Sequence, residues 1–118
     1  MNLPEDIDAF VADWVDAWNA HNIERVLGHF ADNTTFLSPF ASRVISGSDG
    51  ILRGKDELRA YWVAGLAALP DLHFEVVGVY AGIDTIAINY RNHTGGLVTE
   101  VLTFEAGRVI RGEGTYLR

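Results

Sequence analysis

The sequence contains no cysteine, only three prolines and a single methionine. Without cysteine there is no disulfide framework, no thiol nucleophile and no thiolate metal site. Basic residues are scarce as well: nine Lys and Arg stand against 16 Asp and Glu, for a formal net charge of −7. A surface of that sign repels phosphate backbones and anionic lipid, which argues against nucleic acid or a membrane as the main partner. No apolar run approaches the ~20 residues that span a bilayer. The opening segment Met1-Asn2-Leu3-Pro4-Glu5-Asp6 is acidic, unlike the basic start of a secretory signal, so the expectation is a cytoplasmic protein. No glycine-rich loop links a strand to a helix and no Gly-x-Ser-x-Gly elbow is present, so neither a phosphate cradle nor a hydrolase nucleophile is indicated. No cofactor is expected.

What remains is ordinary globular composition: 118 residues, 48% hydrophobic and 21% charged. That is one domain, residues 1–118, and not a disordered chain. A chain of this size buries roughly 65% of its unfolded surface, enough for one core and one cavity.

Apolar residues at Phe10, Val11, Trp14 and Trp18, spaced by three and four from Ile7, form one helical stripe. Pro4 suits a first helical position, and Glu5, Asp6 and Asp8 complement the positive end of the dipole. Asn22 can cap a second, short helix carrying Val26, Leu27 and Phe30, which Asp32-Asn33 breaks. Thr34 to Pro39 reads as a short strand. Residues 40–54 read as a loop of the length that often forms a lid or mouth, the alternative being a mobile surface connection or a small extra hairpin. A third helix follows Gly54, with Leu58, Tyr61, Trp62, Leu66 and Leu69 on one stripe and Pro70 as its stop. Four strands then follow: Phe74–Tyr80 with a bulge at Gly78, Thr85–Thr94, Leu97–Glu105 after a Gly95-Gly96 turn, and Arg108–Tyr116. Three helices, an early strand and a four-stranded antiparallel meander predict an α+β fold with helices on one face of a curved sheet. A long helix over a strongly curved sheet leaves a conical gap, a natural small-molecule pocket.

The segments Trp18-Asn19-Ala20-His21-Asn22, Phe30-Ala31-Asp32-Asn33 and Ser38-Pro39 carry a resemblance. So do Leu52-Arg53-Gly54-Lys55, Leu69-Pro70-Asp71-Leu72-His73-Phe74 and Gly107-Arg108-Val109-Ile110. Together they resemble the NTF2-like superfamily, in particular its SnoaL-like and ketosteroid-isomerase-like branches, over essentially the whole chain. The resemblance implies a cone-shaped fold, three N-terminal helices packed on a curved, mostly antiparallel sheet, and a homodimer joined through the outer sheet face. It implies no single reaction, because the superfamily includes isomerases, cyclases, epoxide hydrolases and transport adaptors. Function must be read from the site.

Alternation turns Ile86, Ile88, Tyr90 and Asn92 to the helix-facing side. Val98, Glu100, Leu102 and Phe104 join them from the next strand, and Ile110, Gly112, Gly114 and Tyr116 from the last. A slip of one residue would reverse each set. The expected ligand-binding wall is Trp14, Trp18, Ser38, Trp62, Tyr90, Asn92, Leu102 and Tyr116, with Glu100 as the catalytic residue. Tryptophans at helical spacing serve equally as core; as walls they favour a flat, apolar ligand.

A carboxylate among apolar side chains has a raised pKa, and a neutral carboxylic acid can donate a hydrogen bond to a developing oxyanion. Resemblance to the isomerase branch places Glu100 at its oxyanion-hole aspartic acid. The same resemblance places Trp14 where that branch has a tyrosine donor, and Ser38, before Pro39, where it has its aspartate base. An indole N–H donates but cannot shuttle a proton, and serine at its free pKa is a poor base. Steroid isomerisation by that mechanism is therefore not expected. Cyclase relatives use an acid/base carboxylate or histidine in the cone, a role open to Glu100 with Tyr90, Asn92 or Tyr116 as partners. The Asp–Arg–Asp set of the epoxide-hydrolase branch cannot be assembled from inward positions. The alternative for Glu100 is a pairing with Arg91, Arg108 or Arg111, or a place near a solvated edge.

Of the histidines, His21 reads as a helix-end group, His29 as exposed and His73 as a candidate for the cone mouth. His93, out of phase with Tyr90, belongs to the outer sheet face. No pair has the His-x-x-x-His spacing of a helical metal site, and no metal is expected. Asp6, Asp8, Asp13, Asp16 and Glu24 read as a solvated helix face. The outer sheet face carries Ala87, Asn89, Arg91, Thr99, Val101, Thr103, Val109, Arg111, Glu113 and Thr115. Such a face meets water or another chain, and Arg111 with Glu113 could pair across a two-fold axis.

Three functions stay open. One is a cyclase or isomerase working by acid/base chemistry on a small, apolar carbonyl compound. The second is a non-catalytic module that holds a hydrophobic metabolite, favoured by the missing tyrosine and aspartate. The third is a protein-interaction dimer with a vestigial pocket.

Overall fold

The carboxylate of Asp6 accepts a hydrogen bond from the Ala9 N–H at 2.9 Å and so caps α1 (Ile7–Asn19). The helix therefore begins after Asp6, and Pro4 precedes it instead of occupying its first turn. The structure, a computed structural model, describes residues 2–118. Helix α1 buries Phe10, Val11, Trp14, Ala17 and Trp18, the stripe its spacing predicts. His21 ends it in the left-handed region (φ 56°), and its Nε2–H donates to the Leu72 carbonyl at 2.8 Å. Asn22 then caps the short α2 (Ile23–Leu27) by accepting from the Arg25 N–H.

The acidic face of α1 is not simply solvated. Asp13 accepts from Arg25 at 2.6 Å and contacts His29 Nε2 at 2.6 Å, and Arg25 first, then His29, hold its carboxyl below the usual range. His29 is correspondingly half-buried, with its ring edge-on to Phe10 at 4.9 Å.

Strand β1 (Phe30–Leu37) starts four residues before the expected Thr34. Its register against the last strand shifts between Phe30 and Thr35, so an irregularity absorbs the exposed Asp32-Asn33 pair instead of breaking the strand. The 40–54 stretch is not a plain loop. It holds a one-turn helix, α3 (Ala41–Val44), and a strand, β2 (Ile51–Arg53), which pairs antiparallel with β1 and buries Leu52 opposite Phe36. Gly54, at φ +82°, turns the chain into α4 (Gly54–Ala68), whose buried side chains are Leu58, Tyr61 and Trp62. Among the described residues there are thus four helices, not three.

The meander is β3 (Glu75–Ala81), β4 (Thr85–Arg91), β5 (Leu97–Glu105) and β6 (Arg108–Tyr116). The register shift between Val76 and Gly78 lies at the predicted bulge. A second shift, between Thr103 and Phe104, sets Val109 opposite Phe104, so Val109 is buried in the core instead of lying on the outer face, and Ile110 is not. Strand β4 stops at Arg91, short of Thr94, because Asn92 becomes the turn's organiser. Its Oδ1 accepts from the N–H groups of Thr94 and Gly96 and from the Thr94 hydroxyl. The sheet order is β2-β1-β6-β5-β4-β3, antiparallel except for the parallel β1–β6 pair. Six strands form a curved, unclosed sheet around the helices, one strand more than predicted. Aromatic rings fill the junction: Trp18 lies edge-on to Trp62 at 4.9 Å, Phe30 edge-on to Trp62 at 5.3 Å, and Trp14 beside Phe74 and Tyr90.

Candidate functional site

The concave face of the sheet does not close completely on α1 and α4. Between them lies a cavity of about 330 Å³, at the small end of the range for ligand pockets. Strands β4, β5 and β6 contribute Tyr90, Val98, Glu100 and Tyr116. Helix α4 contributes Tyr61, Trp62, Gly65 and Leu66, and the segment 36–43 contributes Phe36, Ser38, Phe40 and Arg43.

Of the nine residues expected at the site, Trp18, Ser38, Trp62, Tyr90, Asn92, Glu100 and Tyr116 line this cavity. Trp14 and Leu102 do not. Trp14 is 1% exposed, shut off by the rings of Phe74 and Tyr90. Leu102 has the inward phase expected of it, but lies opposite Gly112, where Phe36 packs and the cone has already filled. Asn92 lines the rim while its Oδ1 is engaged by the turn. His93, expected on the outer face, lies at the rim instead, because alternation ends with β4 at Arg91. His73 is not among the lining residues. Tyr61 and Leu66 belong to the sequence's third-helix stripe, so a signal for them existed. Arg43 lies in the 40–54 stretch, where no periodicity pointed to it.

Glu100 stands opposite Ile88 on β4 and Gly114 on β6. With no side chain at Gly114, the space beside the carboxylate stays open. None of the candidate arginines reaches Glu100. Arg91 donates to the Gly95 carbonyl, Arg108 to the Gly28 carbonyl, and Arg111 pairs within its own strand with Glu113 at 3.6 Å. The Tyr90 hydroxyl donates to Glu100 Oε1 at 3.3 Å, long for a hydrogen bond between oxygens. Burial therefore outweighs that weak donor, and the Glu100 carboxyl is pushed up to about 7.

A second polar group faces the same space. Ser38, buried to 3% exposure, has its hydroxyl 3.1 Å from the Tyr61 hydroxyl and accepts from the Phe40 N–H. Burial raises the pKa of both Tyr61 and Tyr90, and the Glu100 charge adds to it. Tyr116 is raised by burial and by Glu100, and the Ser38 hydroxyl and the Arg43 charge pull it back. The phenols thus keep their protons at neutral pH and act as donors, while Glu100 can gain or lose one. Among the described residues, no three metal-ligating side chains come together and no helix is long and apolar enough to cross a membrane.

The SnoaL-like domain family matches residues 11–112. Among solved structures, a SnoaL-like protein of unknown function from Burkholderia thailandensis is 40% identical, with a TM-score of 0.86 and 94% of each chain covered. AclR, a proposed hydroxylase from Streptomyces galilaeus, is 21% identical with a TM-score of 0.72, covering 93% of this chain and 87% of that one. A proposed polyketide cyclase from Sinorhizobium meliloti is 17% identical with a TM-score of 0.71, covering 91% and 94%. The last two likenesses are of fold. Among curated proteins none matches the sequence. The matched span covers most of the chain, and the 40% identical structure shares its fold: this chain belongs to the SnoaL-like family of the NTF2-like superfamily.

Proposed function

We propose that the cavity takes a small, largely apolar carbonyl compound and that Glu100 moves a proton on the carbon beside its carbonyl, as a cyclase or isomerase does. The observation that carries this reading is a buried carboxyl inside an aromatic cavity that no arginine reaches, which burial pushes up to about 7. A group with that pKa is available as carboxylate and as acid at neutral pH, the optimum for general acid/base catalysis. The carboxylate takes the α-proton, and the electron pair of the broken C–H bond moves into the carbonyl to give an enolate. The hydroxyls of Tyr61, Ser38 and Tyr116 then face the developing oxyanion as donors. Glu100, now neutral, returns the proton to a different atom, or to the same one. Tyr61 thereby offers a phenol from α4 where α1 carries Trp14. The name of the Sinorhizobium neighbour supports the cyclase class.

The test is hydrogen exchange of 2-tetralone in D2O, followed by proton NMR. Faster deuterium uptake at the α-carbon than in buffer is expected, with a loss of roughly 100-fold or more in Glu100→Gln. Equal rates in the two proteins would leave the cavity as a ligand-holding module without proton chemistry. The cavity's occupant on this reading is a small hydrophobic molecule, and the outer face of the sheet pairs two copies into a homodimer. Across that face the register aligns the exposed Tyr80 with Ala87 and Val101, an apolar row with no helix over it.

A further inference from the structure

Nine lysines and arginines serve this chain, and most are spoken for. Arg25, Arg53, Lys55, Arg59 and Arg111 make ion pairs. Arg91 and Arg108 donate to backbone carbonyls. Arg118 is the last residue. That leaves Arg43, whose guanidinium among the described residues has neither a carboxylate nor a hydrogen-bond partner, although acidic side chains outnumber basic ones. It is exposed, stands on the one-turn α3 and lines the cavity. Its charge is felt by the Tyr116 phenol, itself a wall residue. The rim around it is exposed and polar (His93 and Thr94), whereas the interior is aromatic around one carboxyl.

We infer that the compound entering this cavity carries a carboxylate, which stays at the mouth against Arg43 while the apolar body goes in. The inference rests on the small-molecule reading above and narrows its substrate class. A guanidinium presents a planar fork that fits a carboxylate with two parallel hydrogen bonds. Set at the rim, it fixes which end of the ligand points inward. The anionic end is held outside, away from Glu100, and the remaining functional groups are carried toward the carboxyl and the hydroxyls. Without such an anchor, a flat apolar molecule could enter either way round.

Two probes of nearly the same shape test this by calorimetric titration at pH 6, where Glu100 is largely neutral: 2-naphthoate, which is ionised, and 2-naphthamide, which is not. Naphthoate is expected to bind the unaltered protein roughly tenfold more tightly than the amide. Arg43→Gln should remove that preference by weakening naphthoate alone, and Arg43→Lys should restore part of it. Equal binding of the two probes to the unaltered protein, or equal weakening of both in Arg43→Gln, overturns the assignment to Arg43 and leaves the pocket standing. Failure of both probes to bind the unaltered protein overturns the pocket reading and this inference together.

Discussion

Glu100 ties protonation to stability. An unshifted glutamate loses its proton near 4.5, whereas in the folded chain Glu100 keeps it to about 7. Between those values the folded state binds the extra proton, so this residue's contribution to stability falls as pH rises through the window. Above about 7 the loss is complete, at most about 3 kcal/mol. Glu100→Gln removes the effect. Urea unfolding at pH 5 and pH 8 should show the variant gaining stability relative to the unaltered protein at the higher pH. A difference between the two proteins that does not change with pH would contradict the buried-acid assignment. The inward phase of Glu100 was readable from the alternation Val98, Glu100, Leu102, since one buried face fixes the phase of a strand. Its lack of an arginine partner was not. That depended on Arg91 and Arg108 turning to backbone carbonyls, which no spacing encodes.

At the scale of elements, two glycines of β6 make opposite predictions. A β-carbon on Gly112 would stand 2.7 Å from the Phe36 ring and 3.2 Å from Leu102. Gly112→Ala should therefore cost about 1–3 kcal/mol by overpacking, read as a lower urea midpoint. A β-carbon on Gly114 would meet nothing closer than 3.7 Å, at Ser38 Oγ and the Tyr116 ring. Gly114→Ala should fold with little loss but narrow the cavity beside Glu100, weakening 2-naphthamide binding while the midpoint holds. The long elements were legible because burial imposes a period: 3.6 for α1 and α4, two for the meander. The short ones were hidden. β2 has three residues, too few to show alternation, and it forms because β1 offers an edge for Leu52. The start of β1 was masked by Asp32-Asn33, which its irregular register tolerates.

At the scale of the molecule, a second copy on the outer sheet face should appear in size-exclusion chromatography with light scattering as twice the 13.0 kDa chain mass. A particle of single-chain mass at micromolar concentration would contradict it. Arg111 and Glu113, considered in the sequence as partners across a two-fold axis, already meet within one strand. The dimer would then rest on the apolar row through Tyr80, and Tyr80→Glu should shift the species toward the single chain. The cone was foreseeable from element order, because helices followed by a meander bury one face of a curved sheet. The extent of its cavity was not. Trp14 and Leu102 have the right phase, yet packing depth puts them in the core, and sequence periodicity carries no depth. Proton chemistry in this cavity is tested most directly by titrating the Glu100 carboxyl, followed by carbon NMR on protein labelled with [δ-13C]glutamate and assigned by the resonance missing from Glu100→Gln. A midpoint near 7 is expected, shifting when 2-naphthamide fills the cavity. A midpoint at or below 4.5, unmoved by the ligand, would mean a solvated carboxylate and no proton chemistry at this site.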